Sequence, residues 1–227
     1  MSAPLRLVVF DMDGTLIDSA AFIQRAMVYA CDKVGHVAPT PDAVRSIIGL
    51  SLPEAVRRLM PDLAATEVAE AAQRYKECFI ELRETQGEGA VSMYDGAHGA
   101  LQELHAQDEV LLGLATGKAM RGVDHAFAQH GIGDYFVTVQ TADGHPSKPH
   151  PSMLHQTLRD TGAEARHGVM IGDTSYDIEM GVAAGFKTIG VSWGYHSDDV
   201  LLRSGADILI GDYSQLPQAL EDLWSRI

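Results

Sequence analysis

Apolar positions along the chain follow two alternating patterns. Short, almost unbroken apolar runs occupy residues 5–10, 110–115, 135–139, 168–171, 187–191 and 207–210. Between most of them the apolar positions recur every three or four residues, at about 97–107, 119–130, 151–161, 176–184 and 215–223, which is helical spacing. A strand apolar throughout is buried on both faces, so these runs predict a parallel sheet covered by helices on either side. The predicted fold class is α/β, a Rossmann-like doubly wound parallel sheet.

One interval departs from this alternation. About a hundred residues separate the first two predicted strands, where a crossover needs only a dozen or more. Within it, residues 18–87 contain no convincing strand. Its last predicted helix carries Val68, Ala72, Tyr75, Phe79 and Leu82 at alternating spacings of four and three, a one-faced apolar stripe suited to packing in an antiparallel helix pair. Ser51-Leu52-Pro53-Glu54 has the S-x-x-E form of a capping box, with proline in the first turn. The pattern therefore predicts an α-helical cap domain, residues 17–87, inserted into an α/β core made of residues 1–16 and 88–227. Leu16-Ile17-Asp18 would be the outgoing hinge and Gln86-Gly87-Glu88-Gly89 the return.

Charge narrows the partners. The 227 residues hold 17 Lys and Arg against 31 Asp and Glu, a net charge of −14. Binding a nucleic acid depends on basic stripes that displace counterions, so that class of partner is not expected. No uncharged apolar run approaches the roughly 20 residues that cross a bilayer, and the first residues lack a signal-peptide pattern, so no membrane partner and a cytoplasmic location are expected. Cys31 and Cys78 lie far apart in helical patterns and are expected to pack as small apolar residues.

Open α/β sheets bind ligands beyond the carboxyl ends of their strands. After Phe10 comes Asp11-Met12-Asp13-Gly14-Thr15, two carboxylates two residues apart on an extended segment with a glycine for the sharp exit. After Ile171 comes Gly172-Asp173-Thr174-Ser175-Tyr176-Asp177, which brings more acids to another strand end. Several carboxylates in one crevice repel one another unless a hard cation sits among them, and Mg²⁺ suits such oxygen ligands. Ala115-Thr116-Gly117-Lys118 offers a hydroxyl and backbone N–H groups near a helix start, an anion-binding arrangement. Lys148, in Ser147-Lys148-Pro149-His150-Pro151, offers a positive point charge before the next helix.

These motifs, in this order, resemble the haloacid dehalogenase superfamily, which carries D-x-D-G-T after the first strand, Ser or Thr after the second, a Lys before a later helix and G-D-x-x-x-D after a further strand. The likeness covers essentially the whole chain, including a helical cap of the phosphoglycolate phosphatase and β-phosphoglucomutase kind. It implies an Mg²⁺-dependent phosphatase of a small phosphorylated metabolite, a monomer or homodimer, working through an aspartyl phosphate. Asp11 would be the nucleophile and Asp13 the general acid and base. Asp11, Asp13 through its main-chain carbonyl, and Asp173 would hold Mg²⁺, with Asp177 behind them ordering waters or Lys148. Thr116, the Gly117 N–H and Lys148 would bind the phosphate oxygens.

Rival readings differ in specific residues. A dehalogenase lacks the second aspartate, which is present here as Asp13. A phosphonatase uses a cap lysine, and Lys33 and Lys76 are the only ones available; Lys76 reads as solvated. A phosphomutase grips a second phosphate with basic residues beside its cap-loop glycine, whereas this segment reads Ile48-Gly49-Leu50-Ser51-Leu52. Arg45, Arg57 and Arg58 nearby read as a solvated helix face. A non-catalytic, receiver-like phospho-aspartate switch places its acidic pair and phosphoacceptor on different strands. At the rim, Trp193 and Tyr195 are expected to pack and His196 to be solvated, while His145 and His150 shape the Lys148 loop.

Overall fold

A computed structural model describes residues 4–86 and 91–226. In chain order it contains β1 (Arg6–Phe10), β2 (Ile17–Asp18), α1 (Ala20–Lys33), α2 (Pro41–Arg45), α3 (Leu52–Leu59), α4 (Ala65–Gln86), β3 (Ser92–Met93), α5 (Ala97–His105), β4 (Val110–Thr116), α6 (Met120–His130) and β5 (Thr138–Thr141). There follow α7 (Ser152–Thr161), β6 (Gly168–Gly172), α8 (Ser175–Ala183), β7 (Lys187–Val191), α9 (Asp198–Arg203), β8 (Ile208–Ile210) and α10 (Leu216–Trp224).

Six strands form one parallel sheet in the order β5-β4-β1-β6-β7-β8. Along β1 successive side chains point to opposite faces. Val8 and Phe10 join a cluster with Leu101 of α5, Val123 of α6 and Leu220 of α10. Leu7 and Val9 join another with Met153 of α7 and Met180 of α8. Each such fully buried aliphatic side chain contributes about 1.5–3 kcal/mol, which explains why the strands read as unbroken apolar runs. The chain moves from β1 to one side of the sheet and later returns to the other, so strand order reverses at β1. A crevice opens at such a reversal, beyond the strands' carboxyl ends.

Helices α1 to α4 share a further apolar cluster, with Met27 and Cys31 of α1, Val56 of α3 and Val68 of α4. The α4 stripe runs from this cluster into the main one: Val68 lies in the former, Leu82 in the latter, and Phe79 touches both. Cys31 and Cys78 are free, the first buried and the second half-buried. Where the chain leaves and re-enters the sheet region, β2 and β3 pair antiparallel.

Four local expectations are corrected. The fifth strand begins at Thr138 instead of 135, because Gly133–Tyr135 turns as a 3₁₀ helix. Phe136 there stacks on Phe127 at 5.4 Å and Tyr135 meets His105 at 5.2 Å. Helix α9 fills an interval where none was expected, its six residues being too few to show a period. Residues 17–18 form a short strand at the exit from the sheet. Ser51 stands at the α3 N-cap without capping through its side chain. Its N–H, which Glu54 would have to engage, donates to Ser147 Oγ at 2.9 Å, and Glu54 instead meets Arg57 at 3.5 Å. Of the expected return hinge, residues 87–89 lie outside the described residues.

Candidate active site

The three strands at the reversal deliver the predicted residues to one place. Asp11 follows β1, and its N–H donates to Ile171 O of β6 at 2.9 Å, which ties the two strand ends together. Lys148 Nζ, fully buried, reaches Asp11 Oδ1 at 2.7 Å and Asp177 Oδ1 at 2.5 Å. Asp177 Oδ2 accepts from the N–H and hydroxyl of Thr174 at 3.1 and 2.7 Å, fastening the start of α8. Asp173 accepts from the Thr15 hydroxyl at 3.0 Å and the Tyr195 N–H at 2.9 Å. Gly14, at φ +94°, passes so close that a Cβ there would collide with the Asp173 carboxylate and the Tyr195 ring.

The electrostatics follow from this crowding. Burial pushes Asp11 up to about 7; Asp177 and Asp13 add to the shift while Lys148 opposes it. Asp173 is likewise held well above the usual carboxylate range, by burial first and then by Asp177 and Asp11. Burial alone would push the Lys148 ammonium down, but Asp11 and Asp177 more than offset this and hold it above its usual value.

Oxygens of Asp11, Asp173 and Asp177 all lie within 4.8 Å of one another, and Asp11 Oδ2 is buried without a hydrogen-bond partner. Three buried carboxylates facing one lysine leave an excess of negative charge, and an all-oxygen donor set of this kind fits a hard divalent cation such as Mg²⁺. The Asp13 carboxylate turns elsewhere, to Ser19 Oγ at 2.6 Å and Lys118 Nζ at 2.8 Å. Side-chain oxygens therefore group Asp177 with Asp11 and Asp173, while the carboxylate of Asp13 stands apart.

A cavity of about 650 Å³ opens over Asp11, Asp13, Thr116 and Gly117. Its opposite wall comes from the 47–53 loop and from Tyr75 and Phe79 of α4. The two walls touch. A Cβ on Gly117 would lie 2.5 and 2.6 Å from the carbonyl oxygens of Gly49 and Leu50. The Tyr176 hydroxyl donates to Ser46 O at 2.8 Å, and Ser51 N–H to Ser147 Oγ at 2.9 Å.

Several contributors were not singled out by the sequence. Ser19 and Lys118 hold Asp13, yet only the nearness of Lys118 to Thr116 signalled the latter. Trp193 Nε1 and Tyr213 OH both donate to Thr15 O, at 3.1 and 2.9 Å, pinning the 11–15 segment. Trp193 does pack, 4.7 Å from the Tyr213 ring, and Tyr195 is half-buried, as expected. His196 is not solvated, however: it is half-buried because its Nδ1 accepts the Ser175 N–H at 3.0 Å and its ring meets Tyr176 at 5.6 Å. His145 contacts Ser152 Oγ at 2.8 Å and Gln140 at 2.9 Å, bracing the Lys148 loop. Arg45 and Arg57 pair with Asp42 and Glu54 on the surface, while Arg58 lies over the Tyr176 ring at 5.6 Å. Lys76 is exposed but stands on the cavity wall.

The chain is similar in sequence and in fold to several known proteins. A probable phosphatase IndB of Dickeya dadantii (strain 3937) is 32% identical, over 96% of this chain and 94% of its own. A phosphoglycolate phosphatase of Vibrio vulnificus (strain CMCP6) is 30% identical, over 93% of this chain and 94% of its own. A solved structure from Bacteroides vulgatus, described as a candidate β-phosphoglucomutase, superposes with a TM-score of 0.78 at 25% identity, covering 99% of this chain and 90% of the other. The family described as haloacid dehalogenase-like hydrolase matches residues 8–191, and the chain belongs to that family.

Proposed function

We propose that this hydrolase removes the phosphate of a small phosphomonoester, of the phosphoglycolate or sugar-phosphate kind, through a phosphoenzyme formed on Asp11. The observation that carries the reading is the state of Asp11: Oδ1 is engaged by Lys148, while Oδ2 is buried and unpartnered where the cavity meets the strand ends. In the first step an Asp11 oxygen attacks phosphorus, the bond to the ester oxygen breaks, and Asp13 supplies the proton that the departing oxygen needs. In the second, Asp13 takes a proton from water, whose oxygen attacks the acyl phosphate, freeing phosphate and restoring the Asp11 carboxylate. Thr116, the Gly117 N–H and Lys148 take the phosphoryl oxygens, where charge builds.

Asp11 and Asp173, with the Asp13 carbonyl, would hold Mg²⁺, and Asp177 would order Lys148 and water behind them. The ion would supply positive charge to offset that of the phosphoryl group. Residues 17–87 act as a cap domain on a core of residues 1–16 and 88–227, closing to keep bulk water from the phosphoenzyme. The enzyme works in the cytoplasm on a small metabolite as a monomer or homodimer, without nucleic acid or membrane. The absence of basic residues from the loop of residues 48–52 supports hydrolysis over transfer to a second phosphorylated substrate.

Hydrolysis of an aryl phosphate by the purified chain should require Mg²⁺ and fall to background in Asp11→Asn. Full activity in that variant would overturn the covalent route. Asp13→Asn should still acquire phosphate from an aryl phosphate, a good leaving group, but release it slowly, as trapping of labelled protein would reveal.

A further inference from the structure

Two acceptors compete for one backbone donor at the seam between the cavity walls. Ser51 N–H, at the start of α3, donates to Ser147 Oγ at 2.9 Å. Ser147 directly precedes Lys148, whose ammonium is buried between Asp11 and Asp177. The bond therefore joins the loop of residues 47–53 to the segment that carries the catalytic lysine. Yet the sequence supplies the same N–H with a partner of its own. In Ser51-Leu52-Pro53-Glu54 the last residue stands at the third helical position, from which a glutamate reaches back to the N–H of the capping residue. The equivalent box at the start of α8 is made, Asp177 Oδ2 accepting from the Thr174 N–H at 3.1 Å.

Moving the bond to Glu54 needs only side-chain rotation. Ser51 already has the extended backbone of a capping residue, at φ −62° and ψ 146°. Glu54 is half-exposed, and its contact with Arg57, at 3.5 Å, is an exposed pair that holds it weakly. Ser147 belongs to the opposite wall and lies 96 residues away in sequence, so it is within reach only while the walls touch. Where the walls part, an N–H at a helix start loses its acceptor. Glu54 is the acceptor that travels with it.

We propose that Ser51 N–H is a two-position switch, donating to Ser147 when the cap is docked and to Glu54 when the cap swings away, so that Glu54 sets the balance between the two states. This rests on the capped-phosphatase reading above and adds to it the device that makes opening reversible. One hydrogen bond is exchanged for another, so neither position is a trap. A ligand that touches both walls then tips the balance toward docking.

Amide exchange of Ser51, followed by NMR on the full chain, tests the switch without any appeal to activity. Glu54→Ala and Ser147→Ala each leave one acceptor, so each should keep the amide within a few fold of wild-type protection. The double variant should exchange about tenfold faster or more. If Ser147→Ala alone exchanges as fast as the double variant, Glu54 never takes the N–H and the switch is refuted. Competitive inhibition of aryl phosphate hydrolysis by inorganic phosphate reads the link to docking. Glu54→Ala should bind phosphate more tightly and Ser147→Ala more weakly, each by about 2- to 10-fold, the worth of one hydrogen bond. Glu54→Gln, which keeps an acceptor for the box, should match the wild type. Shifts in the same direction for both alanine variants, no shift in Glu54→Ala, or a Glu54→Gln that behaves as Glu54→Ala would overturn the proposal. A chain that hydrolyses no aryl phosphate would overturn the phosphatase reading instead, and the exchange rates still decide the switch.

Discussion

Lys148 shows how one side chain ties stability to chemistry. Its ammonium is buried between Asp11 and Asp177 and is the counter-charge within hydrogen-bond reach of both. Replacing it by methionine keeps much of the volume and leaves two buried carboxylates without their partner, a change that costs about 3–5 kcal/mol. Urea denaturation of metal-free Lys148→Met should show that loss, and a smaller one when Mg²⁺ is saturating, since the ion restores positive charge; equal losses would argue against a cation among these acids. Asp177→Asn keeps an acceptor for Lys148 but removes a charge, so kcat should fall by about 10- to 100-fold, as for groups that orient a metal site from behind. The places of Asp11, Asp13, Thr116, Lys148, Asp173 and Asp177 were legible because each lies at or just beyond a strand's carboxyl end or near the start of a helix, where position along the chain already implies position in space. The Ser19 and Lys118 bonds to Asp13 were not, because they depend on where α1 and the β4–α6 turn come to rest.

At the scale of elements, the two walls of the cavity meet through small, specific contacts. Gly117 approaches the carbonyls of Gly49 and Leu50 so closely that Gly117→Ala forces the loop of residues 47–53 back. Overpacking of this kind costs about 1–3 kcal/mol. If the cost falls on closure, kcat/KM should drop by about tenfold or more while the thermal midpoint changes little, and small-angle scattering should report a more open molecule. Unchanged kcat/KM would mean that closure does not limit the reaction. Tyr176→Phe removes the hydroxyl that donates to Ser46 O and should raise KM by a few fold, in line with about 0.5–1.5 kcal/mol for one hydrogen bond. The capping box expected at Ser51 failed for a related reason. Its N–H is taken by Ser147, 96 residues away, and a local motif cannot anticipate a distant competitor for the same donor. His196 is the converse case, a histidine that looked solvated in the sequence and is drawn in because the start of α8 offers the Ser175 N–H to its ring.

For the molecule as a whole, the buried acids make stability depend on pH. Asp11, pushed up from 3.8 to about 7, keeps a proton in the metal-free folded state that the unfolded chain has already lost, and Asp173 acts in the same direction. Between these values the folded state binds more protons, so this contribution to stability falls as pH rises through the window. The thermal midpoint of the metal-free protein should therefore gain from these groups toward mildly acid pH. Mg²⁺ held among these acids, as proposed, would compete with those protons, so its stabilisation should grow toward alkaline pH and its binding should release protons, which calorimetry in buffers of different ionisation enthalpy would count. Binding without proton release would contradict the raised carboxylates. The same scale explains how a chain of net charge −14 holds an anion: Lys148 is sunk among the acids and Lys76, Arg83, Lys118 and Arg121 are gathered on one cavity. Period and order of residues determined the sheet, the covering helices, the inserted helical stretch and the strand ends where the acids gather, because each is a local property that burial imposes on neighbouring positions. Only the tertiary structure decided which donors meet which carboxylates, and that arginines from α4 and α6 converge on one cavity, because those meetings join segments whose separation along the chain says nothing of their distance in space.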